Sequence, residues 1–524
     1  MPAKVLFLAI DAGDKFLVRD WAANGILPNL RSLLDRGLTG NTMSLKGFFV
    51  GATWPSFYTG VTPARHGFHS LVRLKPGTYE FSRCGPRDFI RNEPFWNFLG
   101  RAGKKVAVLD VPLTYTTKNL NGIQMVEWGS HDANSGFSTW PPQLKPDVWA
   151  RFGRYPLKTS CDSIGRTPQD FCAFRDLLIK SVRQKTELTI HYLKSDKWDF
   201  FAQVFTEAHC AGHQCWHLHD PEHPDYDPKT TALTGDPILE VYKAIDTAIG
   251  KILDHVDSDT IVFFLASHRM ARYYGAQSLL PEILTRLKAA APWPVENSPD
   301  DYGKFFAFLR RGWKNTSVNL KPVLLPVRNF IYNQYALRSP IIPKTDPAGG
   351  DCFIMFNGSP VSGLRVNLCG REPDGNIKPG PDMDRFSDRL TDDLMKLVDC
   401  GSGRPLINGV MKTAALYRGE YLDHLPDLLI EWNDEIAPGS EGPGNPNGGK
   451  MRIFSEKTGI IEGVNTYCRS GDHRPEGLFV ASGPNIKRGR LERTVSIMDF
   501  APTFTGLLGV ELPHADGQPV REIL

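Results

Sequence analysis

Continuous apolar runs recur along the chain and are separated by amphipathic helical stretches, which constrains its fold more than any other feature. The first run covers residues 5 to 10 and has no polar alternation, which is typical of a parallel strand buried on both faces. The later runs are KVAVLDV from residue 105, DFFAQVF from 199, TIVFFLAS from 260, PDLLIEW from 426 and EGLFVASG from 476. This alternation predicts an α/β fold with a mostly parallel central sheet flanked by helices on both faces.

The alternation of strand and helix patterns is less regular between residues 275 and 375, where prolines interrupt the sequence. We therefore predict a catalytic core made of residues 1–274 and 376–524, with residues 275–375 as an inserted cap region. A chain of 524 residues is long enough to bury such a core without help from disulfides.

The charge balance argues for small-molecule partners. Lys and Arg number 61 against 58 Asp and Glu, a formal net charge of +3, which does not favour a nucleic-acid polymer or a polybasic membrane contact. No stretch approaches the roughly 20 apolar residues of a membrane span. The cysteines form no CxxC pairs. We expect a soluble cytoplasmic protein with reduced thiols; its oligomeric state is left open.

Polar residues at the carboxyl ends of parallel strands are the first candidates for a site, because ligands collect at that edge of the sheet. Asp11 directly follows the first apolar run, although taken alone it is explained equally well as a helix N-cap. Thr53 follows a Gly-Ala turn and is expected near a helix start, where backbone N–H groups favour an anion. Taken alone, Thr53 is also an ordinary N-cap.

Histidines provide the second group of candidates. His209 and His213 are four residues apart, so both imidazoles face the same side of a helical turn and can share one transition metal. Ser267 with His268, and Asp472 with His473, border two of the apolar runs. A single histidine of this kind is more often a structural group than a ligand.

The order of these groups, together with a TG-x-x-P-x-x-HG segment, resembles the alkaline phosphatase superfamily and is most similar to its type I phosphodiesterase/nucleotide pyrophosphatase family. The segment is present here as Thr59, Gly60, Pro63, His66 and Gly67. The likeness extends to the segments NLCGREPDGNIKPG, PDLLIEW and GDHRPEGLFVASGP. It covers nearly the whole chain and implies an alkaline phosphatase-like core with an inserted cap.

The resemblance also implies a metal centre. In that family two divalent metal ions, usually zinc and otherwise manganese or iron, flank the nucleophile, which corresponds here to Thr53. Carried over by position, one metal site consists of Asp11, Thr53, Ser267 and His268. The other consists of His209, His213 and His473.

Two positions depart from the family pattern. The family has an aspartate where this chain has His209, and Ser-Asp-His-Gly where this chain reads Ala266, Ser267, His268 and Arg269. The three-histidine site still suits a divalent metal, whereas the site that lost its carboxylate is expected to be weak or empty. One or two ions are therefore expected. Arg269 could place a guanidinium there in partial replacement of the lost cation, or could be a surface arginine.

The resulting prediction is a metal-dependent phosphoester hydrolase or transferase of the EC 3.1 type, acting on a small phosphoester or sulfoester. Thr53 would attack phosphorus and form a covalent phosphothreonine. Two other classes remain open. One is a catalytically altered or inactive member that acts as a binding protein. The other is a mononuclear three-histidine metalloenzyme with different chemistry.

Overall fold

The computed structural model describes residues 4–130, 136–157, 160–223, 225–273, 276–292, 345–433, 449–465 and 469–524. A ten-stranded sheet forms its centre. Nine of its strands lie in the order Gly489–Arg490, Leu38–Met43, Glu476–Ser482, Thr260–Ala266, Lys4–Ile10, Phe200–Phe205, Val106–Leu109, Gly122–Val126 and Ser138–Trp140, and Val495–Ser496 pairs with Leu38–Met43.

The first strand, Lys4–Ile10, lies between two parallel neighbours, Phe200–Phe205 and Thr260–Ala266. Its side chains alternate between two separate cores, with Leu6 on one face and Phe7 on the other. Burial on both faces is why this strand reads as an unbroken apolar run. The predicted mostly parallel α/β sheet is confirmed.

Helices cover both faces of the sheet. One core is packed by Lys15–Ala23, Pro28–Arg36, Leu144–Phe152, Pro168–Leu193, Glu207–His219 and Pro237–Leu253. The opposite core is packed by Thr53–Thr59, Pro63–His66, Phe95–Arg101 and Phe500–Leu507. The remaining helices are Pro86–Phe89, Pro228–Thr234, Leu280–Arg286, Pro381–Met395 and Thr413–Leu416, with 3₁₀ turns at Cys161–Ser163, Ala276–Leu279, Leu422–His424 and Ile497–Asp499.

The strand Glu476–Ser482 has the same apolar character as the parallel strands but runs antiparallel to Thr260–Ala266, with Leu478 opposite Ala266. Its first residues therefore lie where the neighbouring parallel strands end. This direction brings the segment that precedes the strand, including His473, to the carboxyl edge of the sheet.

The run PDLLIEW does not join the central sheet. Its strand, Leu428–Trp432, belongs to a separate four-stranded antiparallel sheet with Cys352–Met355, Val361–Val366 and Ile407–Lys412. Grouping this run with the parallel strands was wrong. Leu428, Ile430 and Trp432 are buried in a third core, and burial there produces the same apolar pattern. The predicted cap of residues 275–375 stays a prediction: strands on both sides of residue 375 share this sheet, and residues 293–344 lie outside the described part.

Small strand pairs complete the described structure. They are Val72–Leu74 with Phe81–Arg83, Ala291–Pro292 with Thr345–Asp346, and Arg269–Arg272 with Gly471–Arg474, beside a three-stranded sheet of Val398–Asp399, Gly449–Ser455 and Gly459–Asn465. Within the described ranges, none of the helices has both the length and the apolar character needed to cross a bilayer.

Candidate active site

Three buried histidines meet at the carboxyl edge of the central sheet. His209 and His213 lie one turn apart on the helix Glu207–His219, and their Nε2 atoms are 2.8 Å apart. The ring of His473 lies 4.7 Å, centroid to centroid, from each of the other two. One nitrogen from each ring lies within 4.8 Å of the others. The structure thus places the first two histidines on one face, as their spacing predicted, with His473 beside them, as the resemblance implied.

Hydrogen bonds fix the orientation of two of these rings. His213 Nδ1 donates to the carbonyl oxygen of Gly471 at 2.8 Å, which leaves a lone pair on its Nε2 atom. His209 Nδ1 lies 2.6 Å from Asp11 Oδ2. Burial raises the pKa of Asp11, but the adjacent His209 outweighs this effect and holds that pKa well below its usual range. Asp11 is therefore ionised and accepts the hydrogen bond.

This arrangement suits a metal ion. Histidines that bind metals usually donate their second ring N–H to a carboxylate or a backbone carbonyl, as His209 does to Asp11 and His213 to Gly471. Their Nε2 atoms converge to 2.8 Å, so nitrogen lone pairs of both rings can be directed at one metal ion. The three-histidine donor set therefore fits a divalent metal such as zinc.

Two glycines permit this close approach of helix and strand. A Cβ atom on Gly471 would lie 2.4 Å from the carbonyl oxygen of Gly212, and one on Gly212 would lie 2.8 Å from Met270 Cγ. Any larger residue at these positions would push the strand pair that carries His473, Arg269–Arg272 with Gly471–Arg474, away from the helix.

The second predicted metal site is assembled only in part. Asp11 uses its other carboxylate oxygen to accept a hydrogen bond from Trp54 Nε1 at 2.7 Å. The ring of His268 lies 4.7 Å from that of His473, and its Nδ1 is 2.9 Å from Ser267 Oγ. In the described part of the chain the Nε2 atom of His268 is buried and has no hydrogen-bond partner. Burial lowers the pKa of His268 to about 4, so the ring is neutral at physiological pH.

Thr53 is the first residue of the helix Thr53–Thr59 and is fully buried. Its hydroxyl donates to the carbonyl oxygen of Phe49 at 2.6 Å and also contacts Ser44 Oγ. Because the single hydroxyl proton of Thr53 points to Phe49, Ser44 is the donor in the second contact. Thr53 is linked to the site through the next residue, Trp54, which contacts Asp11. It does not act as a side-chain N-cap.

Arg269 and Asp472, both possible site residues from the sequence, are engaged elsewhere. The guanidinium of Arg269 pairs with Glu476 at 3.0 Å, lies 3.9 Å from Asp14 and stacks on the ring of Phe16. Asp472 accepts a hydrogen bond from the backbone N–H of His473 at 2.8 Å. The N-cap proposed for Asp11 is instead Asp14, which accepts from two backbone N–H groups at the start of Lys15–Ala23.

A different arginine, Arg469, contacts the histidines and was not predicted. Its Nη1 donates to His213 Nε2 at 3.0 Å. Its Nε and Nη2 atoms donate to the two carboxylate oxygens of Asp162 at 2.8 and 2.9 Å. Asp162 also accepts from Gln214, the residue after His213, at 2.7 Å. The only available signal was the position of Arg469 four residues before His473, and the sequence around Asp162 contains no motif.

A buried lysine supports the start of the histidine helix. Lys185 Nζ donates to the carbonyl oxygen of Gly129 at 2.9 Å and to Thr206 Oγ1 at 3.2 Å. It also lies 3.4 Å from Glu207 Oε1, and both side chains are fully buried. A buried ion pair is strongly destabilising when one partner is removed, so this pair fixes the end of the helix from which His209 projects.

Comparison with known proteins decides the family. The model of the type I phosphodiesterase/nucleotide pyrophosphatase family matches residues 5–297, more than half of the chain. The chain belongs to this family. The family is therefore the one that the sequence resemblance implied.

The chain is similar to several solved structures at low sequence identity. A mutant of alkaline phosphatase PafA is 13% identical, with 100% of this chain and 99% of that chain covered at a TM-score of 0.50. Murine ectonucleotide pyrophosphatase/phosphodiesterase 5 is 12% identical, with coverage of 98% and 97% and a TM-score of 0.48. Phosphonoacetate hydrolase from Sinorhizobium meliloti 1021 is 12% identical, with coverage of 97% and 96% and a TM-score of 0.47. No curated protein sequence matches the chain.

Proposed function

We propose that this family member is a metal-dependent hydrolase of small phosphodiesters that uses Thr53 as its nucleophile. One divalent metal ion, zinc in our proposal, is held by His209, His213 and His473. The observation that carries the proposal is the convergence of these three rings, two of them oriented by Asp11 and by the Gly471 carbonyl. When bound, the ion stabilises negative charge that develops on the transferring phosphoryl group.

Asp11 acts in this proposal as the partner of a metal ligand. Both of its carboxylate oxygens are engaged, one by His209 and the other by Trp54. A carboxylate in this position fixes the histidine tautomer and increases the basicity of the coordinating nitrogen. Ser267 offers only a neutral hydroxyl on the opposite side, so we assign no second tightly bound ion to Asp11, Ser267 and His268.

Thr53 forms and then loses a covalent bond to phosphorus. Its Oγ1 atom attacks phosphorus while the ester bond breaks and the alcohol group leaves with a proton. Water then hydrolyses the phosphothreonine and restores the hydroxyl. Ser44 supports this role because it donates a hydrogen bond to Thr53 Oγ1, which favours the oxygen as it loses its proton.

The test is turnover of a chromogenic bis-aryl phosphodiester by zinc-loaded protein. Thr59 provides a matched control, since its hydroxyl donates to the carbonyl four residues earlier at 2.6 Å on the same helix, as that of Thr53 does. We expect Thr53→Ala to lose at least about a thousandfold in kcat and Thr59→Ala to stay within about threefold. Thr53→Ser should retain a measurable rate.

Equal rates for the two alanine variants would contradict the role of Thr53. Zinc bound at the histidines without diester turnover would favour the mononuclear enzyme of different chemistry. A wild-type protein that binds no metal and turns over no ester would favour the binding-protein alternative.

A further inference from the structure

Arg469 brings a positive charge directly to the histidine cluster. Its Nη1 atom is 3.0 Å from His213 Nε2, the nitrogen that faces His209. Because this nitrogen has a single lone pair, a metal ion bound there would release the Arg469 N–H for another acceptor. The side chain of Arg469 is 18% exposed, so its guanidinium lies at the boundary between the buried cluster and solvent. An anion that approaches the histidines from solvent therefore comes within hydrogen-bond reach of Arg469.

The guanidinium is held in place by a chain of hydrogen bonds. Asp162 binds it through two parallel contacts of 2.8 and 2.9 Å. Gln214 Nε2 donates to Asp162 at 2.7 Å, and Gln214 Oε1 accepts from Arg166 at 2.6 Å. Gln214 is fully buried on the histidine helix. The position of Arg469 is thus set relative to the same helix that carries two of the histidines.

The chemistry of the cluster calls for such a group. Three imidazoles carry no negative charge, the carboxylate of Asp11 is committed to His209 and Trp54, and Asp472 lies beside His473, 3.9 Å from its Nε2 atom. A guanidinium offers planar N–H groups that match the oxygens of a phosphoryl group. Arg269, which the sequence placed in this role, is instead paired with Glu476.

We propose that Arg469 binds the anionic oxygen of the phosphoryl group beside the histidine cluster, with Asp162 as its positioning residue. This inference rests on the proposed function for its substrate class, a phosphodiester anion. The alternative is that the Arg469–Asp162 pair only fastens residue 469 to residue 162. In that case, removal of the ion pair lowers the stability of the protein and leaves its phosphate affinity unchanged.

Binding of inorganic phosphate to zinc-loaded protein, followed by isothermal titration calorimetry, separates these roles without requiring turnover. We expect Arg469→Gln to weaken phosphate binding by at least about tenfold and to raise KM for the diester by a similar factor, with zinc content unchanged. Arg469→Lys should recover part of the loss. Asp162→Asn should weaken phosphate binding less than Arg469→Gln does.

Arg272 is the control. It lies on the strand that pairs with the His473 strand, and its guanidinium is 3.2 Å from Glu222 at the surface. Arg272→Ala should leave phosphate binding unchanged. Wild-type affinity in both Arg469→Gln and Arg469→Lys would overturn the inference, as would a wild-type protein that binds no phosphate. Arg469-dependent phosphate binding in a wild-type protein that hydrolyses no ester would refute the proposed function and leave this inference standing.

Discussion

The two halves of the predicted metal centre differ in how their side chains are used. On one side, His209, His213 and His473 direct nitrogen atoms at a common point. On the other side, Asp11 is saturated by His209 and Trp54, while Ser267 contacts the ring of His268. In our proposal, the aspartate that the resemblance assigns as a ligand in one half instead supports His209, a ligand in the other half. A histidine in place of an acid then changes the role of its neighbour as well as its own.

Removal of a histidine should have the largest effect and should differ between the halves. We expect His213→Ala to weaken zinc binding by well over a hundredfold, because it removes a ligand from a three-ligand set. His268→Ala should weaken it by less than about tenfold. Competition with a chromogenic chelator measures both affinities. Equal losses in the two variants would show that His268 is a ligand of equal weight.

The protein should lose stability at acid pH because His268 is buried in its neutral form. Burial lowers the pKa of His268 to about 4 in the folded protein, from the ordinary histidine value of 6.5. As the pH falls from 6.5 to 4, the unfolded chain therefore takes up a proton that the folded protein does not. The free energy of unfolding therefore falls as the pH drops from 6.5 to 4. At pH 4.5 the loss is about 2–3 kcal/mol relative to neutral pH. His268→Gln should remove this component.

Urea unfolding of metal-free protein at pH 7 and at pH 4.5 measures the difference. The free energy of unfolding should fall less for His268→Gln than for the wild type, and His66, whose pKa burial lowers to about 3, contributes equally to both proteins. Parallel pH dependences would contradict the buried, neutral state of His268.

Asp11→Asn tests whether the carboxylate supports a ligand. The amide keeps the shape of Asp11 but removes its charge, which weakens the 2.6 Å contact with His209 Nδ1. We expect zinc affinity to fall by about 10- to 100-fold, the range for loss of a ligand's hydrogen-bond partner. Chelator competition provides the measurement. If the site carries a second ion, that ion should be lost as well, which would support Asp11 as a direct ligand.

Trp54→Phe should have the smallest effect on metal binding. The substitution removes one hydrogen bond, from Trp54 Nε1 to Asp11 at 2.7 Å, and leaves the contact of Asp11 with His209. The net loss is about 1–3 kcal/mol in stability, since Asp11 is charged and buried, and zinc affinity should change by less than about tenfold. Thermal unfolding and chelator competition report the two quantities. A loss of zinc affinity as large as that of Asp11→Asn would mean that the Asp11 carboxylate needs the Trp54 hydrogen bond to hold its position.

The sheet and the histidine helix could be predicted because their signals are local. The run at residues 5 to 10 and the four-residue spacing of His209 and His213 depend on neighbouring residues alone. The direction of Glu476–Ser482 and the separate sheet of Leu428–Trp432 could not be predicted, because an apolar run does not specify its partner strand.

The same limit applies to the two arginines. Arg269 is the first residue of the short strand that pairs with Gly471–Arg474, and its partner Glu476 is 207 residues away in sequence. Arg469 reaches the cluster only because Asp162 and Gln214 hold it there, and this contact joins three distant segments. The fold and the shared face of His209 and His213 could therefore be predicted from the sequence, whereas the partner of each charged group could not.

The number of zinc ions per chain tests the central claim most directly. Metal-free protein is equilibrated with a small excess of zinc, unbound metal is removed by gel filtration, and zinc and protein are quantified on the same sample. The account predicts about one zinc ion per chain, held by His209, His213 and His473 and absent from His213→Ala. Two tightly bound ions per chain, or one ion that persists in His213→Ala, would contradict it.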